Sequence, residues 1–388
     1  MTDHSFGRMH GQVKKYTKCD DLPSRALLYN KDLTPIVNQQ IREKSTFLFL
    51  PNDVRDHYEY QGGYNNSVQV YNFIMYGILE NGEKVAVIVE NSDVFFDILV
   101  PKGVKYTDHQ NAIQAEIDQC NFIQQGELAK KNKKFFPVKV KHFSMEVAKP
   151  IKYYRKKDRE FVRVHLYSNW DRKKLITYFS EIAQDKRELF QTYSNDGTNY
   201  YRIMSRLHNL QFGAWMNISQ YRPASETVCT SFRVNIDNIT MCETELIDKT
   251  AHLQKPYLIH QTWDIETRMS NGIQIECAAD HVKVINSTFQ LINSVEPALT
   301  VSLCIGEPMA DPTTLIISCA DERQLISAFG QLIGRMRPDI ISGFNDGYFD
   351  WPFLSWRICR FGMVRDFYES CTMMMPSKYA ASDTKILY

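Results

Sequence analysis

Gln261-Thr262-Trp263-Asp264-Ile265-Glu266-Thr267-Arg268 closes an apolar run that opens at Tyr257. In a β-strand, side chains two apart share a face, so Asp264 and Glu266 point together while Trp263 and Ile265 point the other way. Two carboxylates then project from one strand end. Hard divalent cations such as Mg²⁺ take oxygen ligands, and paired acidic groups on a rigid strand can hold them beside a phosphate. The plainer reading is a half-exposed strand with an acidic face, and a lone Asp-x-Glu does not separate the two.

Downstream, strands and helices alternate. Ala298 to Ile305 and Thr314 to Ala320 are apolar runs, and Gly306 to Pro312 between them reads as an antiparallel hairpin loop. Asp321 caps a helix with apolar positions Leu325, Ile326, Phe329, Leu332, Ile333 and Met336. Pro338 ends it, and Ile340-Ile341 opens a fourth strand. Ser342 to Gly347 turns into a helix over Asp350 to Phe361, stopped by Gly362. Three antiparallel strands, a helix, a strand and a helix make an α/β layer. Asp350 lies just past the fourth strand, where ligands gather in such sheets. If that strand flanks the Tyr257 run, Asp350 faces Asp264 and Glu266; its plainer role is an N-cap.

Upstream, residues 1 to about 44 read as a polar arm with one short helix. From Thr46 the pattern is β: Phe47 to Leu50, Val68 to Leu79, Lys84 to Glu90 and Val94 to Val100, with an Asn81-Gly82 turn. This is an antiparallel meander of a small barrel or sandwich. Asp108 caps a helix carrying Ile113, Ile117, Cys120 and Ile123, and Asp171 caps one carrying Leu175, Ile176, Phe179 and Ile182. A further helix carries Tyr200 to Leu210, and short strands return between Phe212 and Met241. The boundary near Ala251 to Pro256 divides the chain into an amino-terminal unit, residues 1–255, and a second unit, residues 256–388.

The tract between the first two long helices is basic: Lys130, Lys131, Lys133, Lys134, Lys139, Lys141, Lys149, Lys152, Arg155-Lys156-Lys157 and Arg159, with Phe135, Phe136, Phe143, Tyr153 and Tyr154 interleaved. Positive charge that tracks a phosphate backbone, with rings on which bases stack, suits single-stranded nucleic acid. The alternative is a solvated hairpin with ordinary surface lysines. The chain as a whole is not basic, with 46 Lys and Arg against 45 Asp and Glu, so any polyanion must meet a local patch. With 388 residues, 44% hydrophobic, it can bury more than one core. Its nine cysteines show neither Cys-x-x-Cys nor a zinc spacing, which points to a reduced, intracellular protein. The first 15 residues hold no apolar leader, and no stretch approaches a membrane span.

Asp264-Ile265-Glu266-Thr267 resembles the first exonuclease motif, Asp-x-Glu, of family B DNA polymerases, and Asn345-Asp346-Gly347-Tyr348-Phe349-Asp350 resembles the second, with Gly343-Phe344 before it and Pro352-Phe353 after it. The resemblance spans most of residues 45 to 388 and is strongest from 257 to 354. It inclines toward a viral or eukaryotic-type member. It implies a mixed α+β, α/β fold: a β-barrel-like amino-terminal domain followed by an RNase H-like 3′–5′ exonuclease domain, incomplete at its C-terminus. It also implies Asp264, Glu266 and Asp350 as ligands of two Mg²⁺ or Mn²⁺ ions, with Thr267, Asn345 and Phe349 contacting the 3′ end of a DNA strand. In a regular strand Thr267 shares a face with Trp263, so that contact requires the strand to turn by Glu266.

The family's third motif, Tyr-x-x-x-Asp, has its spacing at Tyr379 to Asp383, but close behind Asp350 and without an amphipathic stripe. Polymerase palm motifs are not found in these residues. The expectation is therefore the amino-terminal part of a replicative DNA polymerase that cannot polymerise alone and hydrolyses single-stranded DNA poorly or not at all. Its partners would be DNA and the rest of the polymerase, in the same or a second chain, with no membrane; a viral member would work in the host nucleus or cytoplasm. A stand-alone RNase H-like exonuclease and a non-catalytic module using the 130–159 patch are the alternatives.

Overall fold

The computed structural model describes residues 9–27, 31–61, 68–133, 135–148, 158–183, 189–192, 199–225, 230–268, 279–292 and 299–371. Lys134, the basic and aromatic positions 149–157, and the Tyr379 to Asp383 spacing lie outside them. The strands are β1 (Val13–Lys15), β2 (Thr46–Gln61), β3 (Val68–Leu79), β4 (Lys84–Glu90), β5 (Val94–Leu99), β6 (Val140–Ala148), β7 (Arg159–Leu166) and β8 (Met216–Ser219). They continue as β9 (Arg222–Ala224), β10 (Thr230–Asn235), β11 (Ile239–Met241), β12 (Ile259–Arg268), β13 (His281–Leu291), β14 (Leu299–Ile305), β15 (Leu315–Cys319) and β16 (Ile340–Ser342). The helices are α1 (Thr34–Gln39), α2 (Tyr106–Lys130), α3 (Asn169–Ile182), α4 (Tyr200–Leu207), α5 (Thr244–Lys249), α6 (Ala251–Gln254), α7 (Glu322–Met336), α8 (Asp350–Arg360) and α9 (Val364–Cys371).

Among the described residues these strands form three sheets of mixed α/β architecture. A seven-stranded sheet runs β11-β8-β2-β3-β4-β10-β9, a three-stranded sheet β5-β7-β6, and a six-stranded sheet β1-β15-β14-β13-β12-β16. The meander holds for β2, β3 and β4, which pair antiparallel. The fourth run departs from expectation: β5 leaves the meander and pairs with β7. Its place beside β4 is taken by β10, in parallel, so the seven-stranded sheet stays open with β11 and β9 at its edges instead of closing as a small barrel. The reason is visible in β5 itself. Val94, Phe96 and Ile98 are buried in one core with Leu175 and Phe179 of α3, a face that a solvent-lined meander strand would leave bare.

In the six-stranded sheet, β12 pairs antiparallel with β13 and parallel with β16, so the fourth strand flanks the opening stretch as its pattern requires. The expected hairpin of β14 and β15 is a correction: they pair in parallel, Val301 with Leu315 through Ile305 with Cys319. The segment from Gly306 to Thr314 carries the chain back along the sheet, with Gly306 at φ 106° making the first bend. Two capping assignments also shift. Asp108 lies inside the first turn of α2, which begins at Tyr106, and Ser168, whose hydroxyl accepts the Asp171 N–H, caps α3. Asp321 caps α7 as read, accepting the Gln324 N–H at 2.8 Å. The stripe of α7 buries Leu325, Phe329, Leu332 and Met336 in the core under β13 and β14, each such side chain contributing about 1.5–3 kcal/mol.

The polar arm does more than its composition suggests. Val13–Lys15 adds an edge strand to the six-stranded sheet by pairing in parallel with β15, and Tyr16 and Leu22 are buried in that sheet's core. Farther along the arm, Arg25 is 2% exposed. Its Nε donates to Gly82 O at 3.0 Å, and its terminal nitrogens donate to Arg337 O at 2.6 Å, Asp339 Oδ2 at 2.9 Å and Tyr257 O at 3.2 Å. Asp339 also accepts from Asn52 Nδ2 at 2.6 Å and from the Ile259 N–H at 2.8 Å, and lies 3.3 Å from Lys84 Nζ. One carboxylate thus gathers the arm, the β2–β4 sheet and both strands beside the Asp264 site.

Removing one partner from a buried ion pair leaves the other charge uncompensated, at about 3–5 kcal/mol. Asp339→Ala is therefore expected to lower stability by that order in a denaturant titration, and Asp339→Asn by less, because its amide oxygen still accepts the Ile259 N–H.

Candidate functional site

β12 presents the two faces that the alternation demands. Gln261, Trp263 and Ile265 are buried, and Thr262, Asp264 and Glu266 are exposed. The buried face is anchored by aromatic packing: the Trp263 ring lies 5.0 Å from Phe329 of α7 and 4.5 Å from Trp351 of α8. This fixes α8 against the strand. Asp350, the first residue of α8, is only 2% exposed, and its Oδ1 accepts the Ile265 N–H at 3.3 Å. The buried carboxylate is thereby placed at the backbone between Asp264 and Glu266. Phe349, not Asp350, occupies the N-cap position, so capping does not explain the acid.

The turn that delivers Asp350 is tightly built. Asn345 sits at φ 61°, a left-handed conformation that asparagine tolerates, and its carbonyl accepts the N–H groups of Tyr348 at 3.0 Å and Phe349 at 3.1 Å. A Cβ on Gly343 would lie 2.8 Å from Trp263 O and 2.8 Å from Asp346 Cβ, so only glycine lets the turn approach β12 this closely. Asn345 is exposed, while Phe349 is half-buried with its ring 5.9 Å from Phe353.

Thr267 follows an irregularity. Glu266 pairs with Val284 but Thr267 pairs with Val282, leaving Lys283 opposite neither. Such a bulge bends its strand and re-aims the next side chain. It is held from behind: Glu322 at the start of α7 accepts the Val282 N–H at 2.9 Å and the Arg357 Nε–H of α8 at 2.8 Å, with a second short contact between the Glu322 and Arg357 side chains. Glu322 and Arg357 are both buried. Sequence reading missed this pair, because an acid in a first helical turn looks like a dipole effect and an arginine on α8 like surface charge.

The electrostatics follow from crowding. Burial raises the Asp350 pKa most; the Asp264 and Asp346 carboxylates push the same way, and the Ile265 N–H partly offsets them. Like charges pressed together in this way are what a hard divalent cation relieves, so the chemistry of the donor set fits one. Among the described residues, no three His, Cys, Asp or Glu side chains converge into a ready-made metal cage. Asp383, the further acid at third-motif spacing, is outside the described residues.

The lysines of the basic tract belong elsewhere. Lys130 ends α2, Lys131 caps it, and Lys133 is exposed just beyond, on the stretch that leads to β6 of the three-stranded sheet, whereas Asp264 belongs to β12 of the six-stranded sheet. The tract and the acidic strand are two separate features. No described helix is long and apolar enough to cross a membrane.

Residues 190–370 match the family model "DNA polymerase family B, exonuclease domain". The chain is 27% identical over 356 residues to a protein named DNA polymerase beta of African swine fever virus (isolate Pig/Portugal/Lis 60/1960), covering 90% of this chain and 25% of that protein. It is 25% identical over 176 residues to a DNA polymerase of Paramecium bursaria Chlorella virus NY2A, covering 43% of this chain and 18% of that protein. A solved family B DNA polymerase of Pyrobaculum calidifontis shares the fold at a TM-score of 0.52 and 16% identity, over 86% of this chain and 35% of that one. The chain thus spans about a quarter of the length of the first of these relatives.

Two outcomes follow for the site. Because the fold holds the Asp350 pKa above its unfolded value, the ionised acid costs stability at neutral pH and that cost disappears as pH falls through the folded pKa. Asp350→Asn is therefore expected to raise the melting temperature in metal-free neutral buffer, by about 2–4 °C for each kcal/mol recovered, and to remove any stabilisation by added Mg²⁺. Arg357→Ala, which strands Glu322, is expected instead to lower stability by about 3–5 kcal/mol, read by denaturant unfolding.

Proposed function

We propose, from the match of residues 190–370 to the family B DNA polymerase exonuclease domain model, that Asp264, Glu266 and Asp350 form a metal-dependent 3′–5′ exonuclease site serving proofreading during DNA replication. The observation that carries this is the seating of Asp350, a buried acid bonded to the Ile265 N–H between two exposed acids of one strand.

Asp264 and Glu266 offer oxygens on the open face of β12, and Asp350 offers one from beneath. Divalent cations, Mg²⁺ or Mn²⁺, when bound to these carboxylates supply a water activated at neutral pH and charge stabilisation for the departing 3′ oxygen. Asp350, held by Ile265 N–H and by the α8 packing of Trp351, stays in place without a metal, so the site is preorganised. Thr267, past the bulge, and Asn345 and Phe349, on the turn, border the acids and are assigned to the terminal nucleotides of the strand. A base frayed from its template enters such a site more readily than a paired one, because unpairing has already been met.

The remainder of the reading follows from the relatives. We assign polymerisation and the template duplex to the rest of a polymerase, in this or a second chain, a reading supported by the chain's spanning 25% of the first relative's length. DNA as substrate places the work inside a cell, in the host nucleus or cytoplasm for a viral enzyme. Exposed Lys133, Lys139 and Lys141 beside Phe136 support a second, non-catalytic contact with single strands.

Incubating the chain with an internally labelled oligonucleotide and Mn²⁺ is expected to give slow shortening from the 3′ end that chelation stops. Asp264→Ala is expected to reduce it about 1000-fold, the equivalent of the several kcal/mol that metal catalysis contributes. Equal shortening by Asp264→Ala, or cleavage at internal positions, would sink the assignment.

A further inference from the structure

One hydrogen-bonded chain on the three-stranded sheet takes no part in the exonuclease site. Its centre is His165 of β7, 8% exposed, whose Nδ1 meets Asp93 Oδ2 in a short contact and whose Nε2 lies 2.9 Å from the Ser144 hydroxyl of β6. In a neutral imidazole one nitrogen carries the proton and the other a lone pair. An ionised carboxylate can only accept, so Nδ1 holds the proton and Nε2 turns its lone pair to Ser144. The hydroxyl then has a base to donate to. Glu146 is the competing acceptor at 3.3 Å, but it is more distant and already faces Arg163 at 3.4 Å.

The fold holds each member in place. β6 and β7 pair antiparallel with His142 opposite His165 and Ser144 opposite Arg163, so alternation puts Ser144 on the face that carries the imidazole. The His142 ring stacks on that of His165 at 3.9 Å and 14°, which fixes its plane and leaves both nitrogens at the ring edge. Asp93 is set through its backbone: Tyr200 Oη donates to Asp93 O at 2.7 Å and accepts the Phe95 N–H at 2.9 Å. Lys141 Nζ, 3.5 Å from Asp93 Oδ1, balances the acid. Ser144 is half-buried, and β6 is the outer strand of its sheet among the described residues. In an antiparallel edge strand every second N–H turns away from the ladder, so a backbone donor for a developing oxyanion lies within one residue of Ser144.

We propose that Ser144, His165 and Asp93 act as nucleophile, base and orienting acid on carboxylic esters, an esterase-type activity separate from the exonuclease site. A serine hydroxyl is a weak nucleophile until a base within hydrogen-bond reach, itself oriented by a third group, takes its proton. Ser144 Oγ bonds to the ester carbonyl carbon while its proton passes to His165 Nε2. The bond from that carbon to the alcohol oxygen breaks, and the alcohol leaves with the proton. Water then attacks the acyl group, giving a proton to Nε2; the acid departs and the proton returns to Ser144 Oγ. Asp93 stays ionised throughout and keeps the ring in the productive tautomer.

The full chain is treated with a fluorophosphonate, which forms an Oγ–P bond with an activated serine and expels fluoride, and the modified peptide is located by mass spectrometry. Ser144 is expected to label fastest, at a rate that rises with pH across the range in which imidazoles lose their proton, about pH 5–8. His165→Gln and Asp93→Asn are each expected to slow labelling about 100-fold or more, the lower range of what a positioned base contributes, the second by freeing the ring to take the wrong tautomer. Asp93→Asn, at a side chain 44% exposed, carries the test where His165→Gln fails to fold. With p-nitrophenyl acetate, a stoichiometric burst of nitrophenolate that Ser144→Ala removes is expected. Labelling of Ser144 no faster than that of the other serines, equal labelling of Asp93→Asn at unchanged melting temperature, or a burst that survives Ser144→Ala would overturn the assignment and reduce the three residues to a structural hydrogen-bond chain.

Discussion

A single buried carboxylate, Asp339, joins the arm and the seven-stranded sheet to the strand that bears Asp264. It neutralises Arg25 and lies against Lys84, and it accepts the N–H that begins β12. Buried charge is tolerated only where partners replace water, and here every partner comes from a different part of the chain. Lys84 shows how tight the balance is: burial lowers its pKa despite the neighbouring Asp339. Such a junction is specific more than it is strong, since a well-packed apolar contact of equal size can be as stable. Gly82 adds to the specificity, because a Cβ there would lie 2.8 Å from Tyr257 Cβ, so the β3–β4 turn can rest on the strand leading to the acidic site only without a side chain.

What the sequence disclosed is what period and short-range chemistry encode. The alternation from Trp263 to Glu266 reads directly as an in-and-out strand, the stripe of α7 as a buried helix face, and Asp321 as its cap. Asp350 was legible because its position past a strand follows from counting elements. Strand direction was not, since β14 and β15 are apolar runs of the kind that either pairing produces, and the link between Ile305 and Leu315 is shorter than the dozen or so residues a parallel connection usually takes, which favours the hairpin reading. The departure of β5 from its meander was hidden for the same reason: its core-facing residues suit two sheets equally. Arg25, Asp339 and the Glu322–Arg357 pair were hidden because a polar residue carries no periodic sign of being buried.

The acidic site and its supports divide their labour. Trp263, Trp351 and Phe329 hold the strand and helix together by apolar contact, while Glu322 and Arg357 fix the bulge and the helix by charge. Asp350 is held at a cost: its burial first, and then the Asp264 and Asp346 carboxylates, raise its pKa. Strain of this kind at a rigidly supported position is what a functional site stores and a purely structural one sheds.

The parallel pairing of β1 with β15 carries a temporal consequence. Tyr16 donates to Gln331, 315 positions later, so the arm leaves a ribosome long before its sheet exists. At about 5–20 residues per second, that interval is roughly 15–60 s. During it the arm must neither pair with another nascent strand nor be clipped. Lys14 and Lys15, flanked by Lys18, give it a charge that discourages edge pairing, and near β1 it brings only a few apolar side chains, among them Tyr16 and Leu22, to the sheet's core. The edge of the sheet that bears the acids is therefore completed by a strand made about 300 residues before the strand it pairs with, so the pairing can form only once β15 has been synthesised.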